Sequence, residues 1–398
     1  MGVSVLTESL IEAMGLSRVE LSLAYLVGTL TSSFFLPWAG RLYDRIGARV
    51  MISSTAVLMG AVLFLFPVAD RMATGLTRWF PGVRVTFLAW GVMAILFFLV
   101  RFLGQGVLTL SSRNMVMKWY VERRGLANAL MGVVVSFGFS AAPWVLNAAI
   151  DDMGWRSVWR WLGLILGGGF AVVALLLARD NPQACGLEPD GPLKSLGTRR
   201  RAPPQPSKDW SLKEARRTYV LWVFGITMAL FALYITAVTF HIASLFEVVG
   251  MDRTQAFGIF LPAACLSVPL QILFSWWSDY TRLKYLFLIM LAGMILSLSS
   301  LILLAPGWPY ILLIIGNGVM GSQFGLLMSV TWPRLFGTRH LGAISGMVMG
   351  WVVAGSAIGP YLFSLSEDAT GSYTPALCAC LLAAIVLTAC TVRADPPR

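Results

Sequence analysis

Gly40–Arg49 reads G-R-L-Y-D-R-I-G-A-R, a charged decapeptide carrying three arginines and one aspartate between two runs without a charge, Leu21–Gly40 and Val50–Ala69. Each run has the roughly 20 apolar residues that a helix needs to cross a bilayer. A polar turn this short between two such runs predicts two antiparallel membrane helices. Outward from it the pattern repeats, with further spans at Val85–Ser112, Leu126–Ile150, Trp161–Ala178, Thr218–Phe246, Ala256–Ser278, Tyr285–Pro306, Trp308–Thr331, Leu341–Leu365 and Thr374–Thr391. These eleven spans occupy most of the 398 residues, of which 57% are hydrophobic and only 12% charged. Such a composition, with mean hydropathy +0.75, excludes a soluble globular protein.

The first segment, Met1–Met14, carries Glu8 and Glu12 and is too short to cross. It reads as the outer half of a twelfth helix, and it has neither the basic region nor the small-residue cleavage site of a signal peptide. Lys and Arg set the orientation. With alternate loops on opposite sides, 22 of the 30 fall with the 41–49 loop, seven fall opposite, and Arg101 alone lies within a span. The richer side is therefore expected in the cytoplasm of a multi-pass inner or plasma membrane protein. The net charge of +11 is accounted for by these loops, with no basic face for nucleic acid. Neither the five cysteines nor His241 and His340 form a metal or disulfide pattern, so no cofactor is expected.

One connector is long. Arg179–Arg217 holds six prolines and nine Lys or Arg, a composition that reads as a flexible cytoplasmic tether. It divides the chain into 1–178, 179–217 and 218–398, two six-helix units around a linker. The two units repeat. At an offset of 217 residues Gly125, Gly138, Pro143, Asp151 and Gly154 fall on Gly342, Gly355, Pro360, Asp368 and Gly371, with Trp119 on Phe336. The decapeptide has its own echo at Ser275–Lys284, with Asp44 on Asp279 and Arg49 on Lys284. Parallel six-helix repeats are the build of rocking, alternating-access carriers.

Gly40, Asp44, Arg45, Gly47 and Arg49 match the G-x-x-x-D-R-x-G-x-R signature between helices 2 and 3 of the major facilitator superfamily, which the whole chain resembles. Arg101 with Gly104 and Gly106 resembles that family's helix 4 motif, and Gly132, Gly138 and Pro143 its helix 5 motif. W-Y-V-E-R-R-G at Trp119–Gly125, G-L-E-P-D-G at Gly186–Gly191 and His241 resemble the monocarboxylate and oxalate/formate branch. The resemblance implies an all-α fold of two pseudosymmetric six-helix bundles. It implies a conformational latch of Gly40, Asp44, Arg45, Gly47, Arg49, Asp279 and Arg282, in which Asp44 meets the amino end of helix 11 near Leu341 when the cytoplasmic side is shut.

Arg101 must be paired or hydrated within the membrane. No Asp or Glu lies in the eleven spans. Its partner is therefore backbone, Gln105, a residue of the first segment, or an anionic solute held through a charge-assisted bond. Gln105, Tyr234, His241, Asn317 and Gln323 are further candidates, from helices that line the central path in the family. His241 could also carry a coupled proton. The branch commonly places a cation in helix 8 or 11, and here neither has one. The expectation is a transporter of a small organic solute, a carboxylate before a neutral or amphiphilic one, with a proton or counter-solute as coupling partner and a monomer as the working unit. A transport-incompetent sensor or remnant is the rival reading. An intramembrane enzyme would need a Ser/His or carboxylate pair that the spans lack.

Overall fold

The structure, a computed structural model, describes residues 7–190, 206 and 208–396. The expected tether falls partly on 191–205 and 207, and the expected first helix partly on 1–6, all outside the described residues. The described part of that first segment is one short helix, α1 (Thr7–Met14), followed by a turn at Gly15 and a capping box in which Ser17 and Glu20 bond each other's backbone N–H.

Arg18–Leu65 is a single run of helical hydrogen bonding broken at Gly47, whose φ of 79° and ψ of 172° lie outside the helical region. A side chain would resist that φ, and glycine does not. We call residues 18–46 α2 and 48–65 α3. The neighbouring helix α4 (Val85–Trp119) shows that the chain reverses there. Along α2, Gly28, Leu36 and Tyr43 meet Phe98, Gly106 and Lys118 in rising order. Along α3, Met59 and then Phe66 meet Gly104 and then Phe97 in falling order.

Then follow α5 (Arg124–Met153), α6 (Trp155–Leu177), α7 (Tyr219–Glu247), α8 (Thr254–Ser278), α9 (Leu283–Ile302), α10 (Trp308–Phe336), α11 (Leu341–Thr370) and α12 (Thr374–Val392). Among the described residues nine helices are long and apolar enough to cross a membrane. The first of them is divided at Gly47 and α5 adds another, which restores the eleven spans read from the sequence. No strand occurs among the described residues.

Helices in lipid associate through close packing of small residues rather than through water exclusion. Here Gly60 of α3 sits on Gly163 and Gly167 of α6, Gly293 of α9 on Gly316 of α10, and Gly355 and Gly359 of α11 on Ala229 and Leu233 of α7. Aromatic stacks add to this packing, Phe66 on Trp159 of α6 at 4.4 Å and Phe224 of α7 on Phe287 of α9 at 3.9 Å. Two further seams join the bundles, α2 with α11 and α5 with α8, and they are related by the internal repeat. The loops rich in Lys and Arg gather at one end of the molecule, here called the basic end. At the opposite end Arg156 is bidentate to Asp70 at 2.8 and 3.2 Å and also donates to the Pro67 carbonyl.

The connector differs from a free tether at both of its described ends. Asp190 and Trp210 are buried, and their backbone N–H groups donate to Trp119 and Phe336 at 3.0 and 2.9 Å. Prolines and charges disfavour a core of their own, yet they leave the ends free to bond a neighbour's exposed backbone. Tyr373 is buried with its hydroxyl donating to Glu367, while Trp38 and Trp308 are exposed.

Candidate functional site: the two seams and the bundle interiors

The first N–H groups of a helix have no partner inside it and carry partial positive charge. Asp44 meets this need at α11, accepting from Gly342 and Ala343 N–H at 2.7 and 2.8 Å. The approach depends on glycine. A Cβ on Gly40 would strike the Gly342 carbonyl, and a Cβ on Gly342 would strike the Gly40 carbonyl and the Tyr43 ring. The seam continues with Gly346 against Leu36 and Gly350 against Ser33, and Asn114 of α4 donates to buried Ser345 at 2.8 Å.

The other seam repeats the device. Asp279, immediately after α8, accepts from Gly125 N–H of α5 at 2.8 Å, and Gly125 lies on the Ser275 carbonyl. Arg334 of α10 donates to the Ser278 carbonyl at 2.5 Å and reaches Asp279 at 3.5 Å. Burial pushes the Asp279 carboxyl up to about 6, against the pull of the Gly125 N–H and of Arg334. Asn128 of α5 bonds Ser275 at 3.3 Å.

Of the other residues expected in the latch, Gly47 supplies the reversal and Arg49 holds the Leu175 carbonyl of α6 at 2.6 Å, inside its own bundle. Arg45 and Arg282 are exposed. Sequence reasoning missed Asp180, which accepts from Ala48 N–H at 2.9 Å at the start of α3 and pairs with Lys118 at 3.0 Å, while Lys118 lies over the Tyr43 ring. Lys284 and Asp395 are paired at the start of α9, also at 3.0 Å. The signal was available, because the R-D and R-A-D that follow α6 and α12 are themselves a repeat. Arg113 was also missed. It reaches across from α4 to the Gly325 carbonyl and Ser329 hydroxyl of α10 at 3.1 and 3.3 Å.

The candidate solute residues do not converge on one point. Arg101 opens a stretch of α4, Arg101–Leu108, wound as a π-helix, a feature frequent at functional sites. Its guanidinium lies 5.3 Å from the Tyr25 ring centroid, its buried Nε has no hydrogen-bond partner, and no carboxylate pairs with it among the described residues. Gln105, half-buried on the same π-helix, forms no hydrogen bond with it among the described residues. Tyr234 is fully buried, sharing a 2.7 Å bond with Ser297, which donates to Asn317 at 3.3 Å. That chain ties α7, α9 and α10 together. His241 ties α7 to α11 through the Pro360 carbonyl at 3.0 Å and Ser364 at 3.4 Å, against Phe363 and Tyr373. Gln323 is fully buried with neither amide atom bonded among the described residues. The five cysteines are free thiols, three of them exposed.

A similarity of 29% identity over 185 residues links the chain to an uncharacterized 38 kDa protein in the 23S RNA operon of Thermoproteus tenax. It covers 46% of this chain and 42% of that protein, so the chain spans less than half of that relative in the match. The sequence profile described as Major Facilitator Superfamily matches residues 1–360. Apolar helices of membrane-spanning length, two repeat-related seams and that match over most of the chain lead to one assignment: this chain belongs to the major facilitator superfamily.

Proposed function

We propose that the protein is a secondary transporter that moves a small organic carboxylate by alternating access, in the manner of the monocarboxylate and oxalate/formate branch. The basic end is the cytoplasmic end, and the Asp44 and Asp279 bonds hold it shut. The unshared N–H groups of α11 and α5 bind the opposite bundle only while the bundles touch there, so breaking these bonds is what opening requires. The linker tethers 1–178 to 218–398, and a single chain is the working unit.

The observation that carries the substrate class is Arg101. Its half-buried guanidinium on a π-helical stretch of α4 has an aromatic face but no carboxylate among the described residues. A charge inside the membrane costs roughly 2.5 to 3.5 kcal/mol on insertion scales, and a solute carboxylate supplies the missing partner bidentately. Gln105 lies on the same π-helix. Tyr234, Asn317 and Gln323 act from inside the carboxy-terminal bundle, and His241 holds α7 to α11.

Counterflow in liposomes tests the reading with labelled lactate, formate and oxalate set against a sugar and a neutral amino acid. Saturable exchange of at least one carboxylate is expected. Arg101→Lys, which keeps the charge but loses the planar fork, should raise KM at least tenfold with the protein still inserted. Exchange confined to the neutral solutes, or unchanged carboxylate kinetics in Arg101→Lys, would overturn the assignment.

A further inference from the structure

Two stretches that the latch does not account for, W-Y-V-E-R-R at Trp119–Arg124 just before the latch residue Gly125 and G-L-E-P-D at Gly186–Asp190, meet in space. The Asp190 carboxylate accepts from Val121, Glu122 and Arg123 N–H at 3.2, 3.0 and 3.3 Å, and its own N–H returns to the Trp119 carbonyl at 3.0 Å. Asp190 is 5% exposed and adopts φ 64°, the left-handed region that few residues other than glycine enter. A conformation of that cost persists where its surroundings over-determine it. Here the surroundings are the turn that leads into α5.

The carboxy-terminal bundle has the same arrangement at the equivalent place. Asp209 accepts from Thr338 and Arg339 N–H at 2.9 and 3.2 Å, and Trp210 N–H returns to the Phe336 carbonyl at 2.9 Å. Trp119, Val121 and Glu122 fall on Phe336, Thr338 and Arg339 at the repeat offset of 217. Each of the two helix starts thus holds two carboxylates of different kinds. One arrives from the opposite bundle, Asp279 at α5 and Asp44 at α11. The other belongs to the same bundle, Asp190 at α5 and Asp209 at α11, one at each end of the connector. The visiting carboxylates must let go when the bundles separate, and the resident ones need not.

We propose that Asp190 and Asp209 are positioning residues of the transport cycle: they stay bound to the turns before α5 and α11 throughout, and so hold Gly125 N–H and Gly342 N–H in the attitude in which Asp279 and Asp44 can find them. The residents immobilise a turn that would otherwise lose its order each time the visitor leaves, so less conformational freedom is surrendered at each closing. They also anchor each end of the connector to its own bundle. The inference rests on the alternating-access reading and makes the two separated sequence phrases two sides of one hydrogen-bonded unit.

The test is a set of double-mutant cycles on the full chain in nanodiscs. Spin labels at exposed Leu176 of α6 and Val392 of α12 report the ratio of shut to open molecules at the basic end. Asp190→Ala and Asp209→Ala should each lower that ratio about tenfold, the order expected when charged hydrogen bonds are lost. Asp190→Asn keeps one acceptor oxygen and the shape of the side chain and should fall between Asp190→Ala and the wild type, and thermal melting, which reports folding for every variant, separates the effect from misfolding. The cycle should couple by helix start. Asp190→Ala with Asp279→Ala should be no worse than the worse single variant, whereas Asp190→Ala with Asp44→Ala should show the product of the two effects. Asp209 should mirror this, coupled to Asp44 and independent of Asp279. Resident variants that leave the ratio unchanged, or cycles that ignore the helix start, would overturn the proposal while the latch stands. If Asp44→Ala and Asp279→Ala themselves leave the ratio unmoved, the latch fails, and the positioning role fails with it.

Discussion

The two seams between the bundles have one design and unequal chemistry. At α2–α11 the visiting carboxylate accepts two N–H bonds of 2.7 and 2.8 Å, and glycines at 40, 342, 346 and 350 bring the backbones together along the helices. At α5–α8 the carboxylate accepts a 2.8 Å bond from Gly125, sits 3.5 Å from Arg334, and burial outweighs these gains, so its carboxyl is pushed up to about 6. Farther along that seam Gly132 meets the end of the Gln271 side chain rather than backbone. A duplicated scaffold has kept the contact and relaxed one copy of it. In the proposed cycle the tighter seam is the clamp and the looser one the adjustable side.

Asp44→Asn should separate the seams most sharply. An amide offers one acceptor oxygen and turns an NH2 toward the N–H groups at the start of α11, so two charge-assisted bonds become one ordinary bond. At roughly 1.5–3 kcal/mol for each bond to a charged group, the ratio of shut to open molecules should fall about a hundredfold, with uptake lost and membrane insertion intact. Thiol labelling of a cysteine at the basic end, read beside uptake, checks this. Wild-type labelling and uptake would show that the clamp is not at α2–α11.

The glycines should show the next difference. Gly342→Ala drives a Cβ into the Gly40 backbone carbonyl, which can yield only if the helices part, and overpacking of that kind costs about 1–3 kcal/mol. Gly132→Ala meets the amide end of Gln271, which can swing away, and should stay within about 0.5 kcal/mol. The same labelling assay measures both. Equal effects would mean that the seams bear equally on closure.

Much of this was legible in the residues themselves. The decapeptide at Gly40–Arg49 located the α2–α11 contact and the repeat offsets located its copy at α5–α8, because charge inside a hydrophobic sequence is conspicuous and a duplication fixes register. The resident carboxylates were hidden for the opposite reason. Asp190 and Asp209 lie in a stretch whose prolines and charges rule out a core of its own, and composition cannot show that its ends borrow unsatisfied backbone from turns 67 to 130 residues away. The central path was the least legible. Periodicity in an apolar helix does not distinguish a face that lines a solute path from one turned into the same bundle, and so Tyr234 and Gln323 are buried where a solute-facing role was expected. Arg113 was counted with the loops, although it bonds the backbone of α10.

The smallest expected effect is the most specific to the looser seam. In the shut molecule Asp279 holds its proton up to about pH 6, whereas a solvated aspartate releases it near 3.8. A carboxyl whose pKa is raised in one state stabilises that state when protonated. The shut state is therefore favoured as pH falls through 6, and that gain disappears as pH rises back through it. Between pH 7.5 and 5 the ratio of shut to open molecules should rise by at most about tenfold, less where water reaches the carboxyl. Asp279→Asn should weaken this dependence while changing the ratio at pH 5 only severalfold, since the neutral amide resembles the protonated acid and still accepts from Gly125. The spin-label distance followed across the pH range in both proteins measures it. An opening at low pH in the wild-type protein, or a dependence undiminished in Asp279→Asn, would assign the proton to another group and leave the two seams chemically alike.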